Sequence, residues 1–324
     1  MRSFLDTAGE RLLIECSLPW VMELIAEGAG GELEESGAPY ASVHVRVEAD
    51  RRPFETRGWD FIARGAWRRN GEVIVENACT AGFDVHLKCS PERSEFTYRW
   101  RPPVRDRAAA RVLRSRFHLL ARAVLMQYPA LWAAGTRGRA PLHASACLAG
   151  AFRPLLTGAS GIGRSTLLLE DLRSDGRATG DNLAAGDGTT LWGLVEPVRV
   201  VGGRGRRMPH GRHETSMPHR VESLVPDCLL VLERGLADYP TLFTCSPEMS
   251  ARSLVTSTYM AGELRRYWAF AATLSAGTGR GPSHPPITEV ASAFAAKLPC
   301  FSLALGREPG AGLTELLDTV DVAA

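Results

Sequence analysis

Gly158-Ala159-Ser160-Gly161-Ile162-Gly163-Arg164-Ser165-Thr166 is the stretch that decides how this chain reads. It fits the phosphate-loop pattern GxxxxGK[ST] except that Arg164 stands at the lysine position. Its flanks are the right ones: apolar Pro154-Leu155-Leu156-Thr157 predicts a strand before it, and Leu167-Leu168-Leu169 a helix after it. Glycines let the backbone wrap closely, so that successive N–H groups face phosphate oxygens, and the helix adds the positive end of its dipole. Gly158, Ala159, Ser160, Gly161, Ile162, Gly163, Arg164, Ser165 and Thr166 are therefore expected to cradle the phosphates of a nucleotide, ATP or GTP, with the Ser165 hydroxyl positioned to ligate Mg²⁺. Arg164 leaves alternatives open. A planar fork can hold phosphate bidentately, or it can fill the pocket and weaken binding. The bland alternative is a glycine turn that opens a helix and binds nothing.

Outward from the loop, Leu142–Leu148 and Phe152–Thr157 read as strands, Arg164 to Leu172 as a helix, and Ala178–Ala184 as the next strand. Leu191–Val201 reads as a strand pair broken by Pro197, and Cys228–Leu232 and Cys300–Leu305 as buried strands. Ser250–Ala276, Ile287–Leu298 and Leu313–Val320 predict helices. Toward the N-terminus the pattern becomes sheet-rich. Strands are expected over Arg11–Leu18, Ala41–Glu48, Asp60–Trp67, Glu72–Glu76, Asp84–Cys89 and Glu95–Trp100, with Asn70-Gly71 as a hairpin turn. Asp106–Ala134 predicts one long helix whose stripe of Val112, Phe117, Leu120, Val124 and Leu131 packs into the core. Gly135–Pro141 ends it, which places a boundary between a domain of residues 1–138 and one of 139–324.

The segments around the loop resemble the catalytic domain of HPr kinase/phosphorylase and its relatives. Leu142-His143-Ala144-Ser145-Ala146 is similar to that family's hHxSA segment, the loop to its GxSGxGKS, and Ala178-Thr179-Gly180-Asp181-Asn182-Leu183 to its ADD segment. Trp192-Gly193-Leu194-Val195-Glu196-Pro197-Val198-Arg199-Val200 is similar to a further recurring stretch. The resemblance implies an α/β fold: a P-loop nucleotide-binding domain of the PEP-carboxykinase/HPr-kinase-like kind, behind an N-terminal mixed, sheet-rich domain. It implies an ATP-dependent serine kinase acting on a small protein or a precursor peptide, as in peptide natural-product pathways. Asp181 would be the catalytic base on the acceptor hydroxyl, His143 a catalytic residue near the phosphates, and Ser165 with Asn182 the Mg²⁺ site. The resemblance also allows a homo-oligomer. This chain departs from the family at two positions, Lys to Arg164 and the second Asp to Asn182, where an amide lacks the charge that helps to hold Mg²⁺.

Composition narrows the rest. With 324 residues, 45% apolar and 23% charged, the chain has ample material for one or two cores. A net charge of +2 is too mild for a nucleic-acid partner. The seven cysteines show no CxxC or zinc spacing and read as reduced, mostly buried thiols. Acidic and basic residues in Met1–Leu18 argue against a signal peptide, and no stretch approaches the ~20 apolar residues of a spanning helix, so no membrane and a cytoplasmic location are expected. The 202–220 segment concentrates Arg204, Arg206, Arg207, His210, Arg212, His213, His219 and Arg220, either as a clamp on an anionic partner or as a solvated loop; His210-x-x-His213 lacks the further ligands of a metal site. Three functions stay open: a kinase, a catalytically degenerate nucleotide- or partner-binding protein on the same scaffold, and a phosphoryl chemistry that uses phosphate or pyrophosphate.

Overall fold

The computed structural model describes residues 1–36, 40–172, 176–200, 206–207, 211, 213–307 and 312–319. The fold is α/β, with mixed sheets, and divides into two compact units. One comprises Met1–Gly138, Arg204–Glu214 and Arg266–Pro285; the other Arg139–Gly203, Thr215–Arg265 and Pro286–Ala324. The chain thus first passes from one to the other between residues 138 and 139, and residues 204–214 and 266–285, expected in the second domain, group with the first unit.

In the first unit the described residues form an eight-stranded sheet in the order Arg2–Thr7, Glu10–Cys16, Val43–Glu48, Ser94–Trp100, Phe83–Cys89, Glu72–Val75, Ala66–Arg69, Asp60–Ala63. Val43–Glu48 runs parallel to both of its neighbours, and the other pairings are antiparallel. Val43, Val45 and Val47 are fully buried, as their alternation requires. Asn70 and Gly71 make the expected two-residue turn, with φ of 51° and 78° between paired Arg69 and Glu72. The single strand expected over Asp60–Trp67 is instead a hairpin that turns at Gly65, whose φ is 75°.

The long helix expected over Asp106–Ala134 is broken into Val104–Val112, Arg114–Arg122, a π-helical turn at Ala123–Gln127, and Tyr128–Gly135. Pro129 supplies a physical reason for the lower break: it has no N–H to donate, and its ring pushes the preceding turn's carbonyl aside, which widens the helix. Leu113, at φ −106° and ψ 52°, makes the upper break. Val124 and Leu131 are core residues as expected, but Val112 is 81% exposed and Val104–Val112 buries none of its residues. The helix expected over Ser250–Ala276 likewise splits into Pro247–Met260 in the second unit and Tyr267–Thr278 in the first.

In the second unit, a six-stranded sheet runs Arg177–Ala178, Ala144–Leu148, Pro154–Gly158, Cys228–Arg234, Cys300–Leu305, Thr241–Thr244. The three central strands, Pro154–Gly158, Cys228–Arg234 and Cys300–Leu305, are parallel and apolar throughout their buried parts. A four-stranded antiparallel sheet joins Ser223–Leu224, Leu191–Gly193, Ala184–Gly186 and Ala140–Leu142. The strand expected over Leu142–Leu148 is interrupted at His143, where the chain leaves one sheet for the other; the strand expected over Ala178–Ala184 opens into a bend that holds Asp181 and Asn182. All seven cysteines are unpaired, and Cys16, Cys147, Cys228 and Cys300 are buried. No helix among the described residues is long and apolar enough to cross a membrane.

A buried ion pair fixes part of the first unit: Arg122 Nη2 donates to Glu214 Oε2 at 2.6 Å, and both side chains are only 5% exposed. Removing one partner strands the other charge, so Glu214→Ala should lower stability by about 3–5 kcal/mol, while the double change Arg122→Met with Glu214→Leu should recover most of it. Urea unfolding followed by tryptophan fluorescence measures both, and a loss below about 1 kcal/mol for the single variant would refute the pair's role.

Candidate functional site

The strand Pro154–Gly158 leads into the glycine turn, and the helix Arg164–Leu172 leads out of it. Gly161 and Gly163 have φ of 81° and 121°, values that only glycine adopts freely. Within the turn the Ile162 N–H bonds Ala159 O at 3.2 Å, and the N–H groups of Thr166 and Leu167 both bond Gly163 O at 3.0 Å. The N–H groups of Gly163, Arg164 and Ser165 have no protein acceptor among the described residues. They are the orphan donors of a helix start, at the end where the dipole is positive. Ala159, Ser160 and Gly161 are exposed, and Ser165 is half-buried.

Arg164 directs its side chain at the other candidate site residues. Its side chain is 6% exposed and turns away from solvent into a cluster built from two other segments. Nε donates to Asp181 O at 3.1 Å and Nη1 to His143 O at 3.1 Å. Nη2 donates to Asn182 Oδ1 at 2.8 Å and lies 2.9 Å from His143 Nε2. His143 Nε2 thus faces a donor, Arg164 Nη2, and an acceptor, Asn182 Oδ1, each at 2.9 Å. Burial, and then the charge of Arg164, push His143 down to about 4, which keeps the ring neutral.

Two buried polar atoms of this cluster have no partner among the described residues: Nδ1 of His143 and Oδ1 of Asp181. Asp181 is 3% exposed. Buried polar atoms are nearly always bonded, and one left unmade costs about 1–3 kcal/mol, so these two atoms are places where a partner would be gained.

Glu196, quoted in the sequence without a role, secures the bend. Its Oε1 accepts the N–H groups of Asn182 at 3.0 Å and Leu183 at 2.8 Å, and burial pushes its carboxyl up to about 8. Arg199 pairs with Glu263, whose carboxyl burial raises but Arg199 lowers, with a net downward shift. The helix Pro247–Met260 adds Thr258, which accepts the His143 N–H at 3.0 Å, and Ser257, 2.9 Å from the Thr157 hydroxyl. Neither contact was legible, because a mid-helix Ser-Thr pair looks like any solvated face. A cavity of about 490 Å³ opens beside Ala159 and Ser160, walled by Met249, Arg252, Thr256 and Met260 of that helix.

His143, Arg164, Asp181 and Asn182 are thus brought into one cluster at the first turn after the loop. Asn182, expected at a Mg²⁺ site, has its Oδ1 bound by Arg164. No group of three His, Cys, Asp or Glu that could hold a metal gathers among the described residues. Of the basic segment, Arg204, His210 and Arg212 lie outside the described residues, as does the Arg206 side chain. Arg207 is exposed, Arg206–Arg207 pairs with His213–Thr215, and Arg220 donates to Gly193 O at 3.2 Å.

No family model matches this chain, and no curated protein matches it. Among solved structures it is similar to the Hpr(Ser) kinase/phosphatase from Coxiella burnetii, with 16% identity and a TM-score of 0.24, over 32% of this chain and 70% of that one. A likeness of that size carries no weight beside the geometry.

The neutral state of His143 sets a pH dependence. Its folded value of about 4 lies below the ordinary 6.5, so the unfolded chain takes the proton first. The stability this residue contributes is complete above 6.5 and falls as pH drops toward about 4, by up to about 3 kcal/mol. A His143→Asn variant lacks that slope. Denaturant midpoints of both proteins at about pH 7 and about pH 4.5 should therefore converge at the lower pH, and a gap that stays constant would show that the ring is not held neutral.

Proposed function

We propose that the second unit is a nucleotide-dependent phosphotransferase acting on a hydroxyl, with the nucleotide's phosphates on the glycine turn and Asp181 as the base. The observation that carries this is the Asp181 carboxylate, buried, with an oxygen no protein donor reaches, in the cluster that also holds the first helical residue after the turn. A carboxylate kept in that state can orient an alcohol and take its proton as the oxygen attacks phosphorus. The backbone N–H groups of Gly163, Arg164 and Ser165 supply fixed donors toward the phosphates, which cost no reorganisation during reaction. His143 Nδ1 is a further polar atom open to a partner. A bound Mg²⁺–nucleotide would supply the phosphoryl group and the cation that neutralises its charge, with the Ser165 hydroxyl to hold the metal. The resemblance of the surrounding segments favours ATP, and a serine of a peptide or small protein as acceptor.

A second reading is a nucleotide-binding protein on this scaffold that transfers nothing. It is favoured by Arg164, whose donors are all directed at His143, Asp181 and Asn182 rather than at a ligand.

Calorimetric titration with ATP, with and without Mg²⁺, and transfer of labelled phosphate to serine-containing peptides separate the two. Asp181→Asn should keep nucleotide binding and lower transfer by roughly 10²–10⁴-fold. Binding without transfer to any hydroxyl acceptor leaves the second reading; no binding of nucleotide or inorganic phosphate refutes both. Arg164→Lys with Asn182→Asp should raise transfer if the two departures have weakened an active enzyme.

A further inference from the structure

The first unit holds a cavity of about 830 Å³ that the phosphate loop does not use. One part of its lining is aromatic. Trp20, Trp100 and Phe117 touch one another in a closed triangle, with ring centroids 5.3, 5.2 and 6.1 Å apart, and Trp20 is still 37% exposed. Another part is cationic. Arg107, Ala110 and Arg111 share one face of Val104–Val112, Arg114 begins the next helix, and Arg51 comes from the segment after Val43–Glu48. At that spacing a helix normally turns apolar residues inward. This helix buries nothing, and its Val104 and Val112 are 84% and 81% exposed. It stands as a wall of the cavity instead of as part of the core.

Among the described residues Arg51, Arg107 and Arg111 form no ion pair, so their charge is available to a ligand. The acids of the lining are Glu23 and Glu27, one turn apart on Pro19–Ala29, and Glu27 is already 3.2 Å from His118 Nδ1. The balance selects an anion, and the spread selects its kind. Arg51, Arg107, Arg111 and Arg114 come from three stretches of chain, so they offer several separate anchor points. A nucleic-acid backbone would meet the two glutamates with like charge. A peptide with spaced carboxylates answers both conditions: each carboxylate matches an arginine fork bidentately, backbone N–H groups suit the glutamates, and a large side chain fills the ring triangle.

We propose that this cavity docks an acidic peptide segment that presents an aromatic side chain. The inference is independent of catalysis in the second unit. A short fluorescein-labelled peptide of Asp, Glu and Ser around a central Phe, titrated into the whole chain by fluorescence anisotropy, should bind, and bind less at high salt. Arg107→Glu with Arg111→Glu, on a helix that buries none of its residues, should weaken it by about tenfold or more, and should strengthen binding of the Lys/Arg counterpart of the same peptide. Replacing the central Phe by Ala should weaken binding without changing its salt dependence. An affinity unmoved by the double charge reversal, or a single-stranded oligonucleotide that binds as tightly as the acidic peptide, would overturn the proposal.

Discussion

The guanidinium of Arg164 is the interaction on which the rest of the site depends. A buried cation is costly unless its donors are matched. Here they are matched by atoms from two segments distant in sequence: the chain crossing at His143 and the bend at Asp181-Asn182. Because a guanidinium accepts nothing, it dictates the state of what it touches. Its charge, added to burial, keeps His143 neutral, and position 182 offers it an acceptor oxygen. The negative charges of Asp181 and Glu263 hold the cation in place while burial works against it.

Arg164 and Asn182, distant in sequence, meet in one hydrogen bond of 2.8 Å. Lysine at 164 would place a point charge on a flexible stem, free to follow a phosphate. Arginine is longer and planar, and it finds an acceptor at position 182. An aspartate there would add a buried negative charge beside Asp181. Asparagine supplies the acceptor oxygen without that charge, so Arg164 and Asn182 fit as a pair.

Much of this was legible in the sequence, and the illegible parts have definite causes. The glycine turn, its strand and its helix could be read because each depends on local chemistry: positive φ at Gly161 and Gly163, apolar runs on either side. So could the Asn70-Gly71 hairpin. What failed was continuity. Periodicity over Asp106–Ala134 hid the break at Pro129, and the apolar run Leu142–Leu148 hid the passage between sheets at His143. The role of Arg164 could not be read at all, because the direction of a side chain is settled by partners 17 to 21 residues away in sequence. Glu196 was quoted as part of a pattern, yet its task needed the bend it caps.

The orphan atoms are the part of the arrangement that most constrains function. Arg164 and Asn182 show that this cluster can be re-matched when charge and hydrogen bonding demand it. Asp181 Oδ1 and His143 Nδ1 remain unmatched in the same cluster.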